Sequence, residues 1–277
     1  MASPSTSSPT SDLRDLAQTA GEVLEAVSPR FRADRGAAGV VGKGDRDFAT
    51  QVDLDLERFI CDELTTRTGL PCHGEEFGGP PVDEGLVWVV DPVDGTFNYS
   101  TGSPMAGMLV GLCDDGAPVL GLTWLPLLDE RYVGFADGGL TCNGQDLPTL
   151  APMTLHQSVV AFGAFNERAR GRYPGARRIE VLAALSGRAA RLRMSGSTGV
   201  DLAFTAAGTY NGAITFGSHA WDNVGGAALV RAAGGIVTDV AGEQWTVSSP
   251  SLVAAAPGVH GELIELIDSV TGQEWEI

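Results

Sequence analysis

The chain is 277 residues long and carries 35 acidic against 18 basic residues, a formal charge of −17. That length buries a core in one large domain or two packed subdomains, and that charge repels nucleic acid and anionic membranes, so an anionic substrate has to meet a local cation. No stretch approaches the roughly eighteen continuous apolar residues of a membrane-spanning helix, and the N-terminal MASPSTSSPTSD lacks the basic start and apolar run of a secretory leader, so a cytoplasmic protein with a disordered tail over residues 1–11 is expected.

Leu13, Leu16, Ala20, Val23 and Leu24 recur at helical spacing, and VDLDLERFICDEL at 52–64 repeats the pattern, which predicts two early helices. Between them RGAAGVVGKGDRDFATQ is rich in glycine and reads as an extended or mobile loop. The runs LVWVV, MLVGLC, PVLGLTWL and RYVGFA follow, with DDG and LLD as turn signals, and predict an antiparallel sheet. From about residue 151 the rhythm changes to alternating strands (SVVAF, AITF, IVTD, LVAAA) and helices (RIEVLAAL, GVDLAFTAAG, DNVGGAALVRAAGG, ELIELIDSV), a second α/β half over 151–277 behind a first half over 12–150. Cys61, Cys72, Cys113 and Cys142 lie far apart with no C-x-x-C, so reduced thiols are expected rather than a disulfide framework or a thiolate metal site.

Several chemistries drop out by inspection. The chain has no G-x-S-x-G elbow, phosphate loop of the G-x-x-x-x-G-K-[ST] type, G-x-G-x-x-G or H-E-x-x-H, and its four histidines are scattered. Carboxylates remain. In WVVDPVDGTFN, Asp91 and Asp94 stand three apart behind an apolar run that is expected to end at Val90, with Pro92 fixing the local φ. A tight turn there brings the two acids to one point, where they ionise together only beside a cation, and oxygen ligation suits Mg²⁺. Gly95 and Thr96 then open a helix whose free N–H groups attract phosphate. A plain D-G turn capped at Thr96 accounts for this stretch equally well. Two further acid clusters, HGEEFGG with Glu75 and Glu76 and HAWDNVGG with Asp222, read singly as a solvated pair and an N-cap, and together as more ligands. Lys43 is the only lysine in the chain. Arginine bias explains the other basic residues, and a required compact ammonium, or simple escape from replacement on the surface, explains the exception.

GEE, WVVDPVDGTFN and W-D-x-x-x-G-x-x-L-V-x-x-A-G-G, in this order and spacing, resemble the inositol monophosphatase family over about residues 12–270, nearest its actinobacterial members with a HGEEFGGP run. The resemblance implies a layered αβαβα sandwich of α+β and α/β character, its antiparallel sheet in the first half and a mixed α/β arrangement in the second. It implies two to three Mg²⁺ ions: Glu75, Asp91 and the Val93 carbonyl for one, Asp91, Asp94 and Asp222 for a second, and a weaker third near Glu75. By the same resemblance Asp53 and Thr96 orient and deprotonate the attacking water, Gly95 and Thr96 bind phosphate oxygens, and Lys43 belongs to a mobile metal loop. Arg193, Gly196, Ser197 and Thr198 border the sugar, and Thr215 stands where many inositol-hydrolysing members carry glutamate. A small phosphorylated polyol as substrate, lithium sensitivity and a homodimer complete what is implied. Fructose 1,6-bisphosphate, histidinol phosphate or a phosphoadenosine phosphate are alternative substrates, and a regulatory protein with a vestigial metal site is the non-enzymatic alternative.

Overall fold

The computed structural model describes residues 9–44, 47–272 and 275. The chain begins with α1 (Pro9–Ala33), a hairpin of β1 (Gly39–Gly44) and β2 (Asp47–Thr50), and α2 (Gln51–Thr68). It continues through β3 (Cys72–Gly74), β4 (Leu86–Asp94), α3 (Thr96–Ser100), β5 (Gly107–Asp114), β6 (Ala117–Leu125), β7 (Glu130–Phe135), β8 (Leu140–Cys142) and β9 (Gln145–Asp146). The second half holds β10 (Val159–Phe162), α4 (Gly175–Ser186), β11 (Arg191–Arg193), α5 (Thr198–Ala206), β12 (Gly212–Thr215), α6 (Ala220–Ala232), β13 (Ile236–Thr238), β14 (Leu252–Ala255) and α7 (Val259–Thr271).

Strands β3 to β9 form one seven-stranded sheet in chain order, antiparallel except for the parallel β3–β4 pair. The other sheet has the order β11-β10-β12-β14-β13, with parallel pairs at β10 and antiparallel pairs at β14. Side chains that alternate along each strand sort the layers. Trp88 and Val90 of β4 pack with Leu24 and Phe31 of α1 and Leu56 and Ile60 of α2, whereas Val89 faces a middle core built from α5, α6 and the inner face of the second sheet. Val160 and Phe162 of β10 face α4 and α7 on the outside, and Ala161 between them faces the middle core. The result is a five-layer αβαβα sandwich.

The middle layer meets the first sheet through glycines. A Cβ on Gly121 of β6 would come within 2.1 Å of the carbonyl oxygen of Gly225 in α6, so neither side chain nor tilt is available there. This contact holds the start of α6, and with it Asp222, against the sheet that carries Asp91 and Asp94.

Four expectations change. Residues 1–8 of the expected tail lie outside the described residues, and α1 already starts at Pro9. The glycine-rich span is not a plain loop, because Gly39–Gly44 and Asp47–Thr50 pair antiparallel with irregular register. Strand β4 does not end at Val90 but runs on to Asp94. Finally, Cys61 and Cys72 form a disulfide, and only Cys113 and Cys142 are free. Cys61 lies on α2, Gly69 caps that helix at φ 72°, and the reversed chain opens β3 at Cys72 with the two Cα atoms 5.5 Å apart. Spacing in sequence carries no trace of that meeting. The buried Cys113 thiol is pushed up to about 12 by desolvation and is inert as a nucleophile at neutral pH. No helix among the described residues is long and apolar enough to cross a membrane.

Thiol titration of the denatured protein without reductant should therefore find two reactive cysteines rather than four. Reductant should lower the unfolding free energy by about 2–3 kcal/mol, the denatured-state constraint of a short closed loop; four titratable thiols would remove the bridge.

Candidate active site

In β4, Asp91 pairs with Leu109 and Asp94 pairs with Gly107, so three residues advance against two on β5. That is a β-bulge, and it decides where both acids point. Residues three apart on a regular strand face opposite sides, but the extra residue turns Asp94 back to the side of Asp91 while Val90 and Val93 both face α1 and α2. Pro92 suits the position because it has no N–H to lose from the ladder, and the Val93 N–H is taken instead by the Asp91 carboxylate at 3.0 Å. The carboxylates thus converge through a bulge inside the strand, not through a turn after it.

Asp222 joins them from α6, where His219 holds the N-cap position and Asp222 lies in the first turn, so it is not the cap. Oxygens of Asp91, Asp94 and Asp222 all lie within 4.8 Å of one another. Glu75 follows β3 in a turn whose geometry is fixed from below. Its N–H donates to the Val90 carbonyl at 3.1 Å, and the next two N–H groups, of Glu76 and Phe77, donate to the buried Glu57 carboxylate at 2.7 and 2.9 Å. A Cβ on Gly74 would sit 2.0 Å from Glu57 Oε1, so this support needs glycine at the strand end. Glu75 is half-buried and lines the same cavity as the three aspartates, which is not the setting of a solvated surface acid.

Crowding raises the proton affinity of these acids. Burial, then the charges of Glu75, Asp94 and Asp222, raise the Asp91 carboxyl well above the ordinary range. Asp94 is pushed up to about 6 by burial, held back by the bonds it accepts. These come from the Ser197 hydroxyl, from the Gly199 N–H at 2.8 Å and from the Thr198 N–H at 3.2 Å, so Asp94 closes the N-terminus of α5 from across the molecule. A Cβ on Gly199 would meet Leu109 at 2.3 Å and Asp94 Oδ2 at 2.8 Å, which would end that approach.

Asp53 does two jobs. As the third residue of α2 it closes a capping box, accepting the Thr50 N–H at 2.9 Å and the Thr50 hydroxyl on Oδ2. Its Oδ1 lies 3.2 Å from the Thr96 hydroxyl, which is also 3.0 Å from the Val93 carbonyl. Burial raises the Asp53 carboxyl despite these bonds. Gly95, at φ 80° and with Met105 O 2.9 Å from any Cβ, starts the short α3.

Two adjoining cavities take in most of the expected residues. One of about 410 Å³ is lined by Glu75, Asp91, Val93, Asp94, Gly95, Thr96 and Asp222. The other, of about 290 Å³, adds Ser197, Thr198 and Thr215, and the two share Asp94, Gly196 and Asp222. Arg193 lines neither; it is exposed, and its guanidinium donates to the Leu192 carbonyl at 2.9 Å. Lys43 has its backbone in β1, and its side chain lies outside the described residues. The sequence offered no sign of Phe48 and Phe97, whose rings meet at 6.3 Å beside the first cavity, or of Asp201 and Arg178 in the second. His219 and Trp221, stacked at 4.7 Å, flank Asp222 in the HAWD run and could have been read from it.

Comparison with known proteins agrees with this geometry. The profile of the inositol monophosphatase family matches residues 8–271. The chain belongs to that family. It is 53% identical over 257 residues to "Inositol-1-monophosphatase ImpA" of Mycolicibacterium smegmatis, covering 93% of each chain. It is 49% identical over 255 residues to "Probable inositol 1-monophosphatase ImpA" of Mycobacterium tuberculosis, covering 92% of this chain and 94% of that one. Among solved structures, the inositol monophosphatase of Anabaena superposes with a TM-score of 0.82 at 24% identity, over 93% of this chain and 97% of its own. The SuhB protein of Bartonella henselae gives 0.83 at 24%, over 91% and 98%. The family fold and the acid triad together make this a metal-binding site of the Mg²⁺-dependent kind, and the donor set fits, since buried oxygens with raised proton affinity are relieved by a hard divalent cation.

A raised carboxyl in the folded state binds protons that the unfolded chain has already released, so stability falls as pH rises through that window. With Asp94 at about 6 and Asp91 raised as well, the cluster's contribution should decline from the ordinary carboxylate range up through about pH 6. The rise in melting temperature on adding Mg²⁺ to chelator-treated protein should accordingly be larger at pH 7 than at pH 5. A rise of equal size at both pH values would contradict it.

Proposed function

We propose that the protein is a Mg²⁺-dependent phosphoric monoester hydrolase that acts on inositol 1-phosphate. The observation that carries this reading is the convergence of Asp91, Asp94 and Asp222 within 4.8 Å at a cavity floor, in a chain 53% identical to a protein named as an inositol-1-monophosphatase. Glu75, Asp91, the Val93 carbonyl, Asp94 and Asp222 would hold two to three Mg²⁺ ions. Bound Mg²⁺ acidifies water and offsets the charge on the leaving oxygen.

The chain's own residues do the rest. Backbone N–H groups of Gly95 and Thr96 hold phosphate oxygens. Asp53, through the Thr96 hydroxyl, orients the attacking water and takes its proton, and its burial-raised carboxyl suits that task. Water adds to phosphorus as the ester P–O bond breaks, and the alcohol leaves with a proton from solvent. Gly196, Ser197, Thr198 and Thr215 border the alcohol. Thr215 offers one hydroxyl, whose oxygen already accepts the Gly217 N–H at 3.3 Å, where a carboxylate would offer charge-assisted bonds. Lys43, on the β1–β2 hairpin, would place its ammonium against the acid cluster and the phosphate. A homodimer accompanies the reading, and sedimentation velocity checks it.

Phosphate release from inositol 1-phosphate should require Mg²⁺, fall in millimolar lithium, and be lost in Asp91→Asn; near-normal turnover in that variant would end the site assignment. For Lys43→Arg we expect kcat/KM to drop roughly tenfold with the melting temperature little changed, because the forked head differs from a compact ammonium. An unchanged rate at limiting and saturating Mg²⁺ would leave Lys43 a surface residue.

A further inference from the structure

Asp91 and Asp94 stand on a strand with a neighbour on either side, whereas Glu75 follows β3, a three-residue strand at the edge of its sheet. The charges of Glu75, Asp94 and Asp222 all bear on Asp91, so repulsion works to spread the segments that carry them. Glu57 holds the Glu75 turn from the α2 side. On the side of α6, where Asp222 lies, the brace is His73.

Alternation along β3 sends its first two side chains to opposite faces. Cys72 points to α2, where it is bridged to Cys61, and His73, in register with Val89 of β4, points with that residue toward the middle core. There its ring stacks with the Trp221 indole, the centroids 6.1 Å apart and the planes 16° from parallel. Trp221 is also stacked with His219 at 4.7 Å and 14°, so its orientation is set from its own helix as well. At its other edge the imidazole is tied down: Nδ1 donates to the Pro80 carbonyl at 2.8 Å, since a carbonyl only accepts. Between His73 and Pro80 the chain closes on itself, with Gly74 and Gly78 exchanging backbone hydrogen bonds at 3.0 and 3.1 Å. Gly79 comes so near that a Cβ on it would lie 2.7 Å from His73 Cα. One ring thus joins both ends of the loop that holds Glu75 to the residue beside Asp222. Glu75, Trp221 and Asp222 line the first cavity and His73 does not, so it acts through them.

We propose that His73 is a positioning residue for the metal site, its ring fixing the spacing between Glu75 and Asp222 and thereby the affinity for Mg²⁺. The inference rests on the metal-binding reading above. Imidazole suits the task because one rigid group supplies both a flat face for the indole and an N–H for Pro80.

The test strips wild type and variants with chelator and follows the melting temperature as Mg²⁺ is added, without substrate. His73→Ala should need roughly three- to tenfold more Mg²⁺ for the same rise, the scale of one aromatic pair. Initial rates on inositol 1-phosphate should show the same displacement along the Mg²⁺ axis, with kcat at saturating Mg²⁺ within about twofold of the wild type, a recovery that general loss of structure would not allow. His73→Phe, which keeps a ring but not the N–H, should fall between. In a Trp221→Leu background, His73→Ala should shift the Mg²⁺ requirement no further, as expected of two residues that form one contact. If His73→Ala does not fold, His73→Asn, which keeps an N–H but has no ring, takes its place. An unchanged Mg²⁺ requirement, or a full additional shift in the Trp221→Leu background, overturns the role of His73 and leaves the metal site standing. A wild type whose melting is indifferent to Mg²⁺ overturns both.

Discussion

Three carboxylates with oxygens inside 4.8 Å, two of them buried, set a constraint that the rest of the molecule is arranged to meet. Left without a cation, such a cluster holds protons it would otherwise lose, and the fold is less stable for it at neutral pH. The scaffold accepts that local cost because the acids sit on elements too well packed to move apart. Strand β4 is flanked by β3 and β5, and α6 is pressed onto the same sheet by glycine-to-glycine contact. Electrostatic tension stored in rigid surroundings is how a site is preorganised for a divalent ion.

The supports come from both halves of the chain. Glu57 on α2 holds the turn that carries Glu75, and Asp53 on the same helix reaches Thr96. From the second half, Ser197, Thr198 and Gly199 bond Asp94, while α6 delivers Asp222. The middle core likewise draws on Val89 of the first sheet and Ala161 and Ala213 of the second. The site is therefore a seam, and neither half contains it alone. The Cys61–Cys72 bridge lies under this seam, between the helix that carries Glu57 and the strand that leads to Glu75.

A cavity that continues beyond the metal-binding acids gives the site a direction. Its first part is acidic and suits a cation and the phosphate it neutralises. Its second part is lined by Arg178, Ser197, Thr198, Asp201 and Thr215, a set that suits a polar alcohol. In a chain with a charge of −17, an anionic substrate depends on such local positive and donor groups.

The sequence by itself determined a good deal. Period-two and helical patterns placed the strands and helices of the layers, and the order of DPVDGT, GEE and WDNVGG marked the acids that meet, because ligand type and turn chemistry are written in local residues. It could not disclose what depends on distance in space. The bulge in β4 is a mismatch with β5, so DPVDGT alone looks like a turn after a strand ending at Val90. The disulfide needed α2 to reverse at Gly69, and β11, with two arginines in three residues, has no apolar pattern to betray it. Arg178 and Asp201 look like ordinary helix residues until α4 and α5 are packed. Only then does Arg178 come to lie over the Phe216 ring and Asp201 Oδ1 go without a hydrogen-bond partner, and such surroundings are decided by tertiary neighbours and not by the chain that carries the group.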